Sequence, residues 1–346
     1  MSLKELQISH KKIAQTFVAY INFQGQIKDI PMKLEELCNI CGGDKSNPAI
    51  AVIDMGVYSK EGIDIDVCIP IKVSNKINNI NTKFLEEIEV LSIKHYGSHE
   101  NMKESLQKLA NYFHKHGICA TTKNRLIFHK INLDNPEENQ IEIQEILHKW
   151  DERLEQNLKR VLGEKKKNEV MKEREDLFTL ESDLEDRVQW IEKVLNRLDK
   201  ITGNYEKYEV LSPCAHEFPK KRINYLKDIY ENTKDLNEVI KEMHKDYEWY
   251  EDPILKDKVI YVTKIPYNQK GYKEGKTLEE QRKSYCHCPL VRNHLDLGIS
   301  PTFCNCSTGW YRQLWEGIIG KPVRIDILKT LIKGDLNCQF AIHLPL

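Results

Sequence analysis

Between Ile13 and Leu147 the chain writes one pattern twice, and a duplicated strand–helix–strand–strand pattern leaves few folds open. Ile13–Tyr20 is β-rich, and Ile27–Cys38 then places Ile27, Ile30, Leu34 and Leu37 at helical spacing. After the Gly42-Gly43 break, Ala49–Asp54 and Ile63–Ile69 read as strands. The second alternates, with Ile63, Ile65, Val67 and Ile69 on one face and Asp64, Asp66 and Cys68 on the other. The pattern restarts with a strand at Ile88–His95 and a helix at Glu100–His116, whose apolar side is Met102, Leu106, Leu109 and Phe113. Gly117 stands where a helix C-cap is wanted. Leu126–Leu133 and Ile141–Leu147 follow as strands around the turn Asp134-Asn135-Pro136. Two such units, neither able to close a core alone, predict one domain over residues 1–148 with a ligand cleft between its halves.

The rest of the chain reads differently. Residues 149 to about 250 are helical and densely charged, with one apolar stripe at Leu154, Leu158, Val161 and Leu162 and another at Leu184, Val188, Ile191, Leu195 and Leu198. A further helix, Leu236–Met243, follows Asp235 as its cap. Beyond 258 come a strand at Val259–Ile265, a Gly- and Lys-rich loop to about 276 and a helix from Ser307. Paired strands at Val323–Leu331 and Cys338–Leu344 close the chain. The predicted class is α+β: a tandem β-α-β-β domain, a helical middle segment and a Cys-rich α/β part, the last two forming residues 149–346.

The balance of 52 basic and 53 acidic side chains argues against a generic nucleic-acid binder. About ten residues precede the first predicted strand, fewer than a helix-turn-helix reader needs. No apolar run reaches the length of a membrane span, and the start is not signal-like. Ten cysteines are then expected as thiols or metal ligands in a cytoplasmic protein. There is no phosphate-cradling Gly-rich loop, no G-x-S-x-G elbow and no H-E-x-x-H, and kinase, Rossmann oxidoreductase and serine-hydrolase readings lose most of their weight.

The candidate chemistry lies in two places. Cys286/Cys288 and Cys304/Cys306 form two Cys-x-Cys pairs, and Cys338 opens the last strand. Zinc takes four such donors tetrahedrally, and one intervening residue puts both thiols on one side only in extended backbone. The expected ligands are Cys288, Cys304, Cys306 and Cys338, with Cys286, Cys214 and His216 as alternates; the competing reading is buried or redox-cycling thiols. Cys306, at the start of a helix, is also the candidate nucleophile, since a helix N-terminus stabilises a thiolate. In the first domain Tyr20, Tyr58, Tyr96 and His99 sit at strand ends or beside glycines, and Glu142 interrupts an apolar strand. If they line a cleft, aromatic walls and a carboxylate suit an amphipathic or cationic organic ligand.

The runs Asp64–Ile71, Ile93–Glu100, Leu133–Pro136 and Ile141–Gln144 resemble the gyrase-inhibitory-protein-like (GyrI-like) effector-binding domain, over residues 10–148. That resemblance implies two β-α-β-β units around a ligand cleft, with Glu142 at the family's acidic position. The family's Tyr two residues after the Gly is here His99. The C-terminal stretches Cys304–Trp310, Gly320–Val323 and Gly334–Phe340 resemble four-vinyl-reductase-like sensor domains and the aminothiazoline-carboxylate hydrolase family. That second resemblance implies zinc held by Cys304 and Cys338, with Thr330 where a further Cys is usual. The expected function is small-molecule (effector) binding. The alternative is a metal- or thiol-dependent hydrolase of a small cyclic or heterocyclic compound.

Overall fold

The computed structural model describes residues 7–41, 48–59, 62–72, 80–132 and 134–345, with only the backbone of Tyr58, Ser59 and Glu100. Gly42-Gly43 and Leu133 lie outside the described residues. The chain divides into two compact units, Met1–His148 and Lys149–Leu346.

The first unit contains β1 (Ile8–Ile13), β2 (Thr16–Gly25), α1 (Ile30–Ile40), β3 (Ala49–Ser59) and β4 (Gly62–Pro70). The same series returns as β5 (Asn81–Leu85), β6 (Ile88–Tyr96), α2 (Lys103–His116), β7 (Ala120–Lys130) and β8 (Gln140–Leu147). The strands form one antiparallel sheet in the order β1-β6-β8-β7-β3-β4-β2-β5. The duplication is therefore real, and the halves meet directly through the β3–β7 ladder, where Ala51 pairs with Leu126.

A pseudo-twofold relation follows from the registers. Gly25 ends β2 and Gly97 directly follows β6, each just before a helical segment, and aligning them sets Tyr20 against Ser92, Lys83 against Lys11 and Asp66 against Glu142. The leading strand of each half crosses to the other half: β1 pairs with β6 and β5 with β2. Neither leading strand is predicted by the sequence, and the expected strand Ile13–Tyr20 is broken at Ala14-Gln15. β1 (ISHKKI) and β5 (NTKFL) are short, polar edge strands, which carry little hydrophobic signal.

These crossings force the sheet to curl. In a flat sheet β1 and β2 would stand six strand spacings, or about 29 Å, apart. The three steps from Ile13 to Thr16 span at most about 11 Å. The sheet is curled accordingly. α1 and α2 cover its outer face. α1 buries Ile30, Leu34 and Leu37 as its spacing predicts. α2 buries Leu109, Tyr112 and His116, a stripe rotated from the expected one, so that Leu106 and Phe113 are only half-buried. Gly117 caps α2 at φ 59°, a left-handed conformation that glycine adopts without steric cost.

In the second unit the helices are α3 (Trp150–Leu162), α4 (Glu164–Val170), α5 (Arg174–Leu177), α6 (Leu184–Ile201), α7 (Asn204–Leu211), α8 (Lys220–Thr233), α9 (Leu236–Met243) and α10 (Tyr247–Tyr250). The strands β9 (Ile254–Lys256) and β10 (Val259–Thr263) lead to α11 (Gln269–Glu274), α12 (Leu278–Tyr285), α13 (Asn305–Ile319), β11 (Arg324–Lys329) and β12 (Gln339–His343). The expected stripes of α3 and α6 are buried at Leu154, Leu158, Leu184, Val188, Ile191, Leu195 and Leu198. A four-stranded antiparallel sheet, β11-β12-β10-β9, shares a core with α8, α9 and α13 around Trp315, Leu226, Met243 and Phe340. α13 begins at Asn305, two residues before the expected Ser307. Part of the expected loop before 276 is α11. A Cβ on Gly309 would lie 1.8 Å from the Ser212 carbonyl oxygen, so only glycine lets α13 approach that turn. No described helix is long and apolar enough to cross a membrane.

Candidate functional site

The helix-free, concave face of the first sheet is where sequence and geometry converge. Alternation places every second residue of each strand on it. The ladders align two rows across it. One row runs Tyr20, Cys68, Ile50, Ile127, Glu142 and Lys94. The next runs Asn22, Asp66, Val52, Arg125, Gln144 and Ser92. Val18, Ile50, Cys68, Leu85 and Ile127 form a buried apolar cluster on this face, with Tyr20 and Val52 packed against it. Leu85 lies on β5 and Ile127 on β7, so the curl brings an edge strand over the centre of the sheet.

Tyr20 and Glu142 thus stand in one row, four strand spacings or about 19 Å apart along the sheet. Glu142 is 4% exposed. Lys11 Nζ and Gln144 Nε2 donate to its Oε1 at 2.7 and 2.9 Å, and His129 Nε2 lies 3.4 Å from Oε2. Burial alone would raise this carboxyl, but the bonds from Lys11, Gln144 and Ser92 outweigh it and hold the group at about 2. The equivalent acid of the first half, Asp66, accepts from Lys83 at 2.5 Å and from Asn22 at 2.8 Å. Lys83 Nζ stands 4.1 Å over the Tyr20 ring. Each lysine comes from a leading strand that has crossed over from the other half. Cys68, on the floor, has its thiol pushed by burial up to about 12.

The other expected cleft residues are placed differently. Tyr96 ends β6 and is 65% exposed, and His99 opens the short helical turn before α2, beyond the strand. Tyr58 lies in β3 beyond a break in its register with β4, and its side chain lies outside the described residues. Sequence reading misses Arg125, Gln144, Asp66, Lys83 and Lys11. For Arg125 a signal existed, because the alternation that buries Leu126 and Phe128 under the helices turns Arg125 to the opposite face. For the lysines there was none, since their role depends on the strand crossing.

In the second unit the cysteines separate into two groups. The Cys304 thiol is influenced by those of Cys338, Cys286 and Cys288, and its Sγ hydrogen-bonds Thr330 Oγ1 at 2.9 Å. Cys306 belongs elsewhere, with Cys214, Trp150 and Arg153. The reason is backbone conformation. Cys304 is in the helical region at the head of α13, where two residues turn through about 200° and aim the thiols apart. Cys286 is extended, the conformation that puts Cys286 and Cys288 on one side. Burial raises the Cys306 thiol, opposite in direction to the effect of a helix N-terminus. Burial also holds Cys214 up at about 12 and His216 down at about 4. Among the described residues no three or more His, Cys, Asp or Glu side chains are grouped to hold a metal. Of the expected ligands, Cys288, Cys304 and Cys338 lie in the first group with the alternate Cys286, and Cys306 lies in the second with Cys214; no chemistry is assigned to a zinc site. A cavity of about 950 Å³ between α7, β11 and α13 is lined by Tyr208, Lys207, Arg312 and Arg324. Three of its lining cations are paired: Lys207 with Asp199, Arg312 with Glu209 and Arg324 with Asp326.

No family model matches the chain, and no curated protein matches it. It is similar to EcmrR in a complex with DNA, at 16% identity over 41% of this chain and 57% of that one, with a TM-score of 0.35. The chain thus spans just over half the length of that protein. It is also similar to a hydrolase from Listeria innocua, at 9% identity over 41% of this chain and 91% of that one, with a TM-score of 0.32. A third likeness is SAV2435 bound to tetraphenylphosphonium, at 9% identity over 40% and 93%, with a TM-score of 0.31.

Proposed function

We propose that the first unit binds a small amphipathic organic molecule on the concave face of its sheet. The observation that carries this reading is the composition of that face. An apolar floor of Val18, Ile50, Cys68, Leu85 and Ile127 is flanked by two carboxylates, the buried Glu142 and the half-buried Asp66, with Tyr20 at one end. A sheet face that served packing alone would be apolar throughout, because each buried polar group adds desolvation cost. Largely apolar walls with a few placed polar groups are the ordinary make-up of a ligand site. The resemblance of the sequence motifs to an effector-binding domain agrees with it.

A hydrolytic role finds less support. A carboxylate held near 2 is a weak general base at neutral pH, and a raised thiol is a poor nucleophile. The test is saturable binding of Nile red, a neutral solvatochromic dye, to the full chain. One blue-shifted site, displaced or lost in Ile127→Glu and accompanied by hydrogen-exchange protection of β7 and β8, is expected. Absence of saturable binding, or binding with protection only outside residues 8–147, refutes the proposal.

A further inference from the structure

One buried cation on the concave face has no counter-charge among the described residues. Arg125 lies in the second row and is 4% exposed. It donates from Nη2 to the Glu86 carbonyl oxygen at 3.3 Å, while its buried Nε has no acceptor. Among the described residues the one ionisable side chain acting on its charge is Cys68, and burial pulls the guanidinium below its ordinary value. Its cross-strand neighbour Gln144, 3% exposed, uses Nε2 on Glu142 and leaves Oε1 without a donor.

The acids facing this side are already engaged. Glu142 is bound by Lys11 and Gln144, and Asp66 by Lys83 and Asn22. Asp64 accepts from Asn22, and Asp54 from Thr122 and the Gly56 amide. Nor does the fold require a cation at this place, because the pseudo-twofold relation that matches Asp66 with Glu142 matches Arg125 with Ile50. An isoleucine serves the first half where the second has a buried arginine. A buried, uncompensated guanidinium is costly, and an oxyanion is the partner that its planar donors fit.

From this we infer that the ligand is an amphipathic organic anion, its carboxylate or similar oxyanion held by Arg125 and its apolar body laid along Ile50, Cys68, Leu85 and Ile127. The inference rests on the concave-face reading above and fixes the sign of the ligand's charge. The experiment is calorimetric titration of the full chain with decanoate and, separately, decylammonium, both below their micellar concentrations at pH 7.5. Decanoate is expected to bind at least roughly tenfold tighter, and Arg125→Met to weaken it roughly 10- to 100-fold without weakening decylammonium. Arg125→Lys, which keeps the charge but not the fork, should fall between. The wild-type preference reads the sign even if Arg125→Met fails to fold. Decylammonium binding as tightly as decanoate overturns the inference and leaves the concave site standing. If neither amphiphile binds, both fall.

Discussion

Glu145 makes the first unit's stability depend on pH in a direction that can be calculated. It lies on β8 opposite Leu91, on the helix-covered face. Burial raises its carboxyl from 4.5 to about 7, a bond from Asn124 offsetting only part of that effect. The native state therefore holds this proton more tightly than the unfolded chain does. Its contribution is fully present below pH 4.5 and is lost as pH rises through 7. At about 1.4 kcal/mol per pH unit, the ionised form costs roughly 3 kcal/mol above pH 7. Glu145→Gln is neutral at every pH, and its amide can donate to Asn124 Oδ1, a buried acceptor without a partner. The variant should therefore be about 1–3 kcal/mol more stable than wild type at pH 8 and nearly equal to it at pH 4.5. All five tryptophans, Trp150, Trp190, Trp249, Trp310 and Trp315, belong to the second unit, so their fluorescence reports the wrong part of the chain. Urea unfolding followed by far-ultraviolet circular dichroism, with hydrogen exchange of residues 140–147, is the suitable assay. Destabilisation at pH 8, or the same gain at both pH values, would refute the reasoning.

Glu142 should act in the opposite sense. With its carboxyl held down at about 2, its stabilisation is present above 4.5 and disappears as pH falls toward 2, a limb that Glu142→Gln should abolish in acid titrations. Lys11→Met strands that buried carboxylate and should cost about 3 kcal/mol, part of it recovered when Glu142→Gln is added; simple additivity in the denaturation cycle would show that the two do not interact. Gly309→Ala drives a methyl group into the Ser212 carbonyl and should destabilise the second unit by more than about 3 kcal/mol, read by tryptophan fluorescence; a near-neutral effect would mean that α13 and that turn are not in contact. Cys68, Cys214 and Cys286 should resist a thiol-specific disulfide reagent at pH 8 in the native protein and react in denaturant; rapid native labelling of any of them contradicts its burial.

How much of this was legible depended on whether a feature was periodic. The clean alternation of Ile63, Ile65, Val67 and Ile69 and the helical spacing of Leu184 through Leu198 report a buried face directly, and both are buried or packed as expected. Tyr20 and Glu142 were legible because a strand's parity fixes which face a residue occupies. Tyr96 shares the parity of Lys94, paired with Gln140 at the end of β6, but is exposed there, and His99 lies beyond the strand, where parity fixes nothing. The split of Cys304 from Cys306 turned on one local conformation, helical rather than extended, that two-residue spacing leaves open. The lysines at 11 and 83 lie beyond any local signal, as their partners are fixed by a long-range crossing.

That crossing bears on how the domain can be divided. Each repeat's acidic side chain is neutralised by a lysine on a strand that chain order assigns to the other repeat. Neither repeat expressed alone would be an electrically finished object. A fragment beginning at Thr16 would keep β6, α2, β7 and β8 yet leave Glu142 without its lysine. Anyone trimming this protein for expression, or splitting it to make a ligand-assembled reporter, should cut outside residues 8–147.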